Sequence, residues 1–414
     1  MKVRIHRGAH EIGGNCVEVE ARDGSRIVLD IGRPLGALRD EHVPLPSIAG
    51  FDNPNDSLLG LIISHGHQDH WGLVDQVPAH VPLYIGEAAN RTLKEAAFFS
   101  TGVALEPTGF LRHEQAFRLG PFTIMPYLND HSAYDTYSLL VAADGRRLFY
   151  SADLQAHGRK ARLFDALLRA LNGKVDVLLM EGTTLRENGV PPNGKTERQL
   201  EAELADAISA APGIVLAMYS AQNIDRLVTW FRACRRAGRS LVVDFYGERI
   251  ARATGNRKIP QSEFDNILVY VPQHQRVQVQ RSGAFERVNE IRASRIFPEQ
   301  FAPRRKELVL TFRGSMMREI ERHGCLDGAA AVWSLWPGYL EQPGTKRLRD
   351  FLQHHNIPLI VLHVSGHAYA KDLQRLARAV SPARIVPIHS FAPHRFTEFF
   401  DNVEPHDDGE WWEC

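Results

Sequence analysis

Apolar and polar residues alternate in short runs over the first 63 positions. Lys2–Arg7, Cys16–Ala21 and Ser25–Ile31 alternate or run apolar, and turns at Gly13-Gly14 and Asp23-Gly24 separate them. Runs of this length and period predict β-strands. Leu58–Ile63, Pro82–Ile85, Phe122–Tyr127 and Val175–Met180 predict more, and Leu139–Ala142 with Leu148–Tyr150 predicts a hairpin about Asp144-Gly145. Ala88–Ser100 carries apolar residues at helical spacing, and Trp71–Val77 reads as the start of a helix.

The pattern changes near residue 187. After the turn-rich stretch Glu187–Gly194, Thr196–Ala211 predicts an amphipathic helix with Thr196 as its cap and Leu200, Leu204 and Ile208 on one face. A strand at Ile214–Met218, a helix at Ile224–Ala237 and a strand at Ser240–Asp244 follow. This alternation predicts an inserted βαβ domain with a parallel sheet. The Arg-rich stretch Arg276–Arg305, with Phe285, Phe297 and Phe301, does not resolve into elements by pattern. Pro358–Val361 (strand), Asp372–Val380 (helix) and Ile385–Ile388 (strand) then return the chain to its first style. The predicted divisions are 1–186, the insert 187–345, and 346–414, with the acidic segment Glu404–Cys414 peripheral.

Several apolar runs end in the same way, on a histidine or an acid. Asp30 follows Arg26–Leu29, Asp153 follows Leu148–Tyr150, Glu181 follows Val175–Met180, and His389 follows Ile385–Ile388. The densest ending is Ser64-His65-Gly66-His67-Gln68-Asp69-His70, which puts three imidazoles and a carboxylate within six residues. Neutral imidazole nitrogen and carboxylate oxygen suit zinc, and open sites built from them activate water. Strand ends converge at one edge of a sheet, so distant residues can share a site. Asp30 is then expected to orient a histidine ligand from behind.

Composition narrows the picture. At 414 residues and 44% hydrophobic, the chain should form a two-domain globular α/β protein. No apolar run has the length of a signal peptide's core or of a membrane span. Cys16, Cys234, Cys325 and Cys414 lie far apart, which suits thiols of a reducing cytoplasm. The formal net charge is zero, yet Arg232–Arg322 holds 19 Lys/Arg against 10 Asp/Glu, and the remainder 30 against 39. Charge segregated in this way predicts a basic module facing an anionic partner, with nucleic acid as the candidate.

The motifs together resemble a known family. His65-x-His67-x-Asp69-His70, then His131 and Asp153, match the successive ligand motifs of the metallo-β-lactamase fold. Glu181, His367 and His389 fall where its β-CASP nuclease branch carries three further motifs. Within that branch, His10-Glu11-Ile12-Gly13-Gly14-Asn15 and His363-Val364-Ser365-Gly366-His367-Ala368 are most similar to the ribonuclease J group. The resemblance implies a metallo-β-lactamase αββα sandwich carrying an inserted β-CASP α/β domain.

It also implies two zinc ions, with manganese as the alternative. His65, His67 and His131 would hold one, Asp69, His70 and His389 the other, and Asp153 would bridge them. Asp69 would share the catalytic role with Glu181, expected to hydrogen-bond a ligand histidine, and with His367, expected to act as proton donor. His363, Ser365 and Gly366 would bind substrate, the last two through a hydroxyl and a backbone N–H offered to phosphate. The implied activity is hydrolysis of single-stranded RNA, exo- or endonucleolytic, with water activated by the two ions. A single-stranded DNA nuclease and a small ester or lactone hydrolase are the alternatives.

Two departures accompany the resemblance. The chain stops about 25 residues after His389, short of the further domain of many ribonucleases J, which supports their homodimer. The Gly-rich segment of the insert is altered to Thr311-Phe312-Arg313-Gly314-Ser315-Met316-Met317-Arg318.

Overall fold

The computed structural model describes residues 1–37, 41–100, 104–171, 173, 175–189 and 194–414; positions 190–193 of the expected linker lie outside them. The chain packs as two compact units. One comprises Met1–Lys94, Val103–Gly194 and Gly366–Cys414, and the other Glu95–Gly102 and Lys195–Ser365.

Two sheets form the first unit. One runs Trp411–Glu413, Lys2–Arg7, Cys16–Glu20, Arg26–Leu29, Leu58–Ile62, Leu83–Gly86, Gly109–Leu111; the other runs Arg384–Ile388, Val177–Glu181, Arg146–Tyr150, Tyr137–Ala143, Phe122–Leu128, Phe117–Leu119. Alternation along each strand assigns its side chains to layers. Val177 and Leu179 join Ile27 and Leu29 in the core between the sheets. Leu178 and Met180 instead meet Phe164, Leu167, Leu373 and Leu376 of the helices Ala161–Leu171 and Ala370–Val380. Val28 and Leu61 turn outward on the other sheet, against Leu73 and Leu93. Strands covered on both faces need apolar residues at every position, hence the unbroken runs in the sequence. The result is the expected αββα layering.

Neighbouring strands run parallel in both sheets. Arg26–Leu29, Leu58–Ile62, Leu83–Gly86 and Gly109–Leu111 form one set of four, and Arg146–Tyr150, Val177–Glu181 and Arg384–Ile388 a set of three. Parallel strands end on the same side of their sheet. Asp30 and the 64–70 loop therefore leave one sheet together, as Asp153, Glu181 and His389 leave the other.

The second unit is built on seven parallel strands in the order Arg295–Ile296, Ile267–Tyr270, Ser240–Asp244, Leu308–Thr311, Val215–Met218, Ala330–Trp333, Leu359–Val361. Leu200, Leu204, Leu227 and Trp230 cover one face, and Phe301, Ile320, Leu348 and Leu352 the other. The sequence pattern predicts that the insert closes at 345, but it continues to Ser365. Leu359–Val361 adds to the edge of its sheet, and Leu348 and Leu352 of the helix Lys346–His354 complete its core.

Thr196 caps the helix Glu197–Ala210 through a reciprocal pair, its hydroxyl accepting from Gln199 N–H at 3.2 Å and the Gln199 side chain accepting from Thr196 N–H at 2.8 Å. Thr196→Ala is expected to cost about 0.5–2 kcal/mol, read as a lower urea midpoint.

Two further expectations change. The segment 404–414 is not peripheral: Trp411–Glu413 pairs with Lys2–Arg4, and Trp412 is buried in the core between the sheets. The acidic composition hid two tryptophans that finish a sheet edge. The expected helix at 71–77 is a single turn, Gln68–Trp71, followed by a 3₁₀ turn at Val74–Gln76. In the Arg-rich stretch, Phe301 belongs to the core, whereas Phe285 and Phe297 are exposed. Several of the insert's arginines face carboxylates within the unit, among them Arg249, Arg252, Arg276, Arg287 and Arg313. Among the described residues no helix is long and apolar enough to cross a membrane.

Candidate metal centre

The strand ends of the first unit bring seven residues together. One group is His65, His67, His131 and Asp153, the other Asp69, His70, His389 and Asp153, and in each the candidate ligand atoms lie within 4.8 Å of one another. Asp153 belongs to both because its two oxygens face opposite ways. Oδ2 lies 3.7 Å from Nε2 of His65 and of His131; Oδ1 lies 3.2 Å from His70 Nε2 and 3.6 Å from His389 Nε2. Asp69 Oδ2 lies 3.7 Å from His389 Nε2. A third grouping, Glu321, His354 and His355, lies at the surface of the insert.

Hydrogen bonds behind the rings fix which nitrogen points inward. His70 Nδ1–H donates to Asp30 Oδ2 at 2.8 Å, and His131 Nδ1–H donates to the Gly366 carbonyl at 2.8 Å. His389 Nδ1–H donates to Asn15 Oδ1 at 2.8 Å. Asp30 thus has the orienting role expected of it. It also accepts from Ser64 N–H at 2.7 Å, from the Ser64 hydroxyl at 2.8 Å and from the Tyr150 hydroxyl at 2.7 Å. Asn15 donates in turn to Tyr150 Oη at 3.1 Å, so one buried chain of bonds ties His70 to His389.

The donor atoms of the centre call for a cation. His65 Nε2, His70 Nε2, His389 Nε2 and both oxygens of Asp153 are buried without a hydrogen-bond partner. An unsatisfied buried polar atom costs about 1–3 kcal/mol, more if charged, so five in one spot need a common partner. Divalent cations satisfy nitrogen and carboxylate lone pairs at once, and imidazole with carboxylate suits zinc. Burial pushes His65, His67, His131 and His389 down from the usual histidine range, into the neutral form that binds metal. His70 differs. Burial also opposes its cation, but Asp153 and Asp30 on either side hold it well above that range. The residues fit divalent metal.

Glu181 occupies a different place from the one expected. Its carboxylate lies 3.3 Å from His367 Nδ1, rather than against one of the seven candidate ligands, and it accepts from Leu154 N–H and Thr183 N–H, each at 3.2 Å. Burial opposes the His367 cation, yet Glu181 and Asp153 push the ring up to about 9. Gly366 also contributes its carbonyl, which accepts from His131. His363 and Ser365 are half-buried and belong to the second unit. Sequence reasoning missed Tyr150, Ser64 and the positioning role of Asn15. Asn15 closes the His10–Asn15 run and Tyr150 ends a strand, the only hints either gave.

Comparison with known proteins agrees with this geometry. Residues 44–217 match the beta-lactamase superfamily domain, and residues 360–391 match the Zn-dependent metallo-hydrolase RNA specificity domain. Ribonuclease J of Mycobacterium tuberculosis is 24% identical over 94% of this chain and 68% of its own length. That of Sinorhizobium meliloti is likewise 24% identical, over the same shares. The chain is a ribonuclease J-like protein of the β-CASP type.

The second match spans the segment that gives this ribonuclease J-like protein His363, Ser365, Gly366, His367 and His389. Its fold also matches a solved protein of unknown function from Enterococcus faecalis V583, with a TM-score of 0.79 over 99% of both chains at 20% identity. Fold, family domains and candidate ligands together make it a metal-dependent hydrolase.

Proposed function

We propose that this protein is a zinc-dependent ribonuclease that cleaves RNA phosphodiester bonds at a two-ion centre. The observation that carries the reading is Asp153, whose two oxygens each face a separate set of imidazoles. His65, His67 and His131 would hold one ion, Asp69, His70 and His389 the other, and Asp153 would join both. When bound, such a pair supplies a water acidic enough to attack near neutral pH and positive charge for a phosphate oxygen.

The chain's own residues do the rest. Asp30, Gly366 and Asn15 keep three imidazoles turned inward, so the centre needs little reorganisation. His367 is partly open to solvent, with its side chain 20% exposed, and Glu181 holds its Nδ1 from behind. The ring would protonate the departing 3′-oxygen. Ser365 and His363, at the end of the insert, would bind phosphate, and the basic insert would hold the strand with a grip that weakens as salt rises. RNA is favoured over single-stranded DNA by the names of the relatives and by the RNA specificity match. Four buried free thiols suit the reducing cytoplasm we assign to it.

Matched RNA and DNA oligonucleotides, digested with zinc or manganese present, test the reading. Cleavage of DNA alone would sink it. His367→Ala should lower the rate on RNA about 10²–10⁴-fold while metal content and RNA affinity stay near wild type. Wild-type turnover in that variant would remove His367 from the reaction.

A further inference from the structure

A cleft of about 350 Å³ opens in the first unit between Arg7, Glu11, Ile12, Pro34, His42 and Phe391. It adjoins the centre. Phe391 follows His389 by two residues, and Gly13, next to Ile12, has its N–H 3.2 Å from His389 Nδ1. A side chain at Gly13 would meet Asp69 Cβ at 2.8 Å, so the Gly13 backbone lies directly against that ligand. Two lining residues, Ile12 and Phe391, are thus within two positions of residues that touch or form the Asp69–His389 half of the centre.

Its lining sets an aromatic ring and a guanidinium beside the carboxylates of Glu11 and Glu41. The Phe391 ring is 57% exposed. Opposite polarity comes from Arg7, whose stem passes over Gly14, where an added Cβ would meet Arg7 Cδ at 2.5 Å. Gly14 also has φ of +71°, so glycine is needed there twice over. Arg7 Nη2 donates to the Pro44 carbonyl at 3.4 Å, while Nη1 is buried without a hydrogen-bond partner. A buried guanidinium N–H of this kind is complemented by an oxygen acceptor brought by a ligand. Aromatic rings stack on any base, and the volume lies at the lower end of small-molecule pockets, which suits one nucleoside.

We infer that this cleft is a nucleobase subsite, in which Phe391 stacks on the base of a nucleotide beside the cleaved bond and Arg7 donates to an oxygen of that nucleotide. The inference rests on the ribonuclease reading. Phe391 is a specificity residue, outside the ligand set and outside the proton path.

The test uses the full-length protein and a series of RNA oligonucleotides in which one abasic nucleotide is moved stepwise along the strand. Phe391→Ala should lower kcat/KM on unmodified RNA about ten-fold, through KM, with metal content unchanged. Arg7→Gln should weaken RNA in the same direction. At one abasic position the wild type should fall to the level of Phe391→Ala, and the variant should lose nothing more, because the two changes delete one contact. Equal kcat/KM for Phe391→Ala and wild type, or additive losses at every abasic position, would overturn the subsite. Metal-loaded wild type that cuts no RNA at all would overturn the ribonuclease reading, a separate and recognisable failure.

Discussion

Asp153→Ala should leave a folded protein that has lost both metal uptake and hydrolysis. The residue is the one carboxylate common to the two candidate groups, and it is buried with His65, His131, His70 and His389 around it. Burial opposes its charge, but the neighbouring rings of His389, His70 and His367 hold its carboxyl well below the usual carboxylate range. It is therefore an anion at any working pH, and its charge is what makes a cluster of imidazoles hospitable to dications. On the proposed two-ion reading, truncation would take a ligand from each ion at once. Metal analysis after gentle purification should fall from about two ions per chain to below one, and RNA turnover should drop below detection. Asp153→Asn keeps the shape without the charge and should lose metal nearly as fully. Two tightly held ions in Asp153→Ala would show that the carboxylate does not join the sites. Circular dichroism guards against simple unfolding, since the surrounding strands draw their stability from the core between the sheets.

Arg226→Ala should destabilise the insert by about 3–5 kcal/mol, the largest stability change expected in this unit. Arg226 is fully buried, and so nearly is Glu197. Arg226 Nε and Nη2 donate to Glu197 Oε1 at 3.1 and 2.9 Å. Nη1 donates to the Ser334 hydroxyl at 2.7 Å, and Nη2 to the Val364 carbonyl at 3.1 Å. Removing the guanidinium strands a carboxylate and two strand-end loops in a dry interior. The carboxylate is the costly part. The double variant Arg226→Met/Glu197→Leu removes both charges and should recover most of the loss. Urea unfolding of the three proteins decides between these outcomes. A loss under about 1 kcal/mol for Arg226→Ala would mean that water reaches Glu197 and that the pair is not a buried anchor.

The local parts of the site were legible because they are coded by short spacings. Three histidines and an aspartate in the 64–70 loop need no knowledge of the fold to be read as ligands, and Asp30 could be assigned its orienting role from the end of one strand. Partnerships across the sandwich were not. Glu181 looked like a support for a ligand histidine, but the position of its strand beside Arg384–Ile388 and the return of the chain at 366–367 give it to His367. The Asn15–Tyr150–Asp30 chain joins residues up to 135 positions apart, and none of the three carries a local signal for the others.

By itself the sequence determined the strands and the chemistry. Unbroken apolar runs dictate strands covered on both faces, and the residues that end those runs dictate nitrogen and carboxylate ligands, because each depends only on neighbours along the chain. The tertiary structure alone decided which oxygen of Asp153 faces which imidazoles, that Gly366 serves through its carbonyl, and that Trp412 closes the core instead of trailing in solvent. It also formed the cleft between Arg7 and Phe391, residues 384 positions apart. The reason is the same in each case. Sheet pairing and register bring these groups together, and register is settled by the burial of whole faces, a property that no single segment carries.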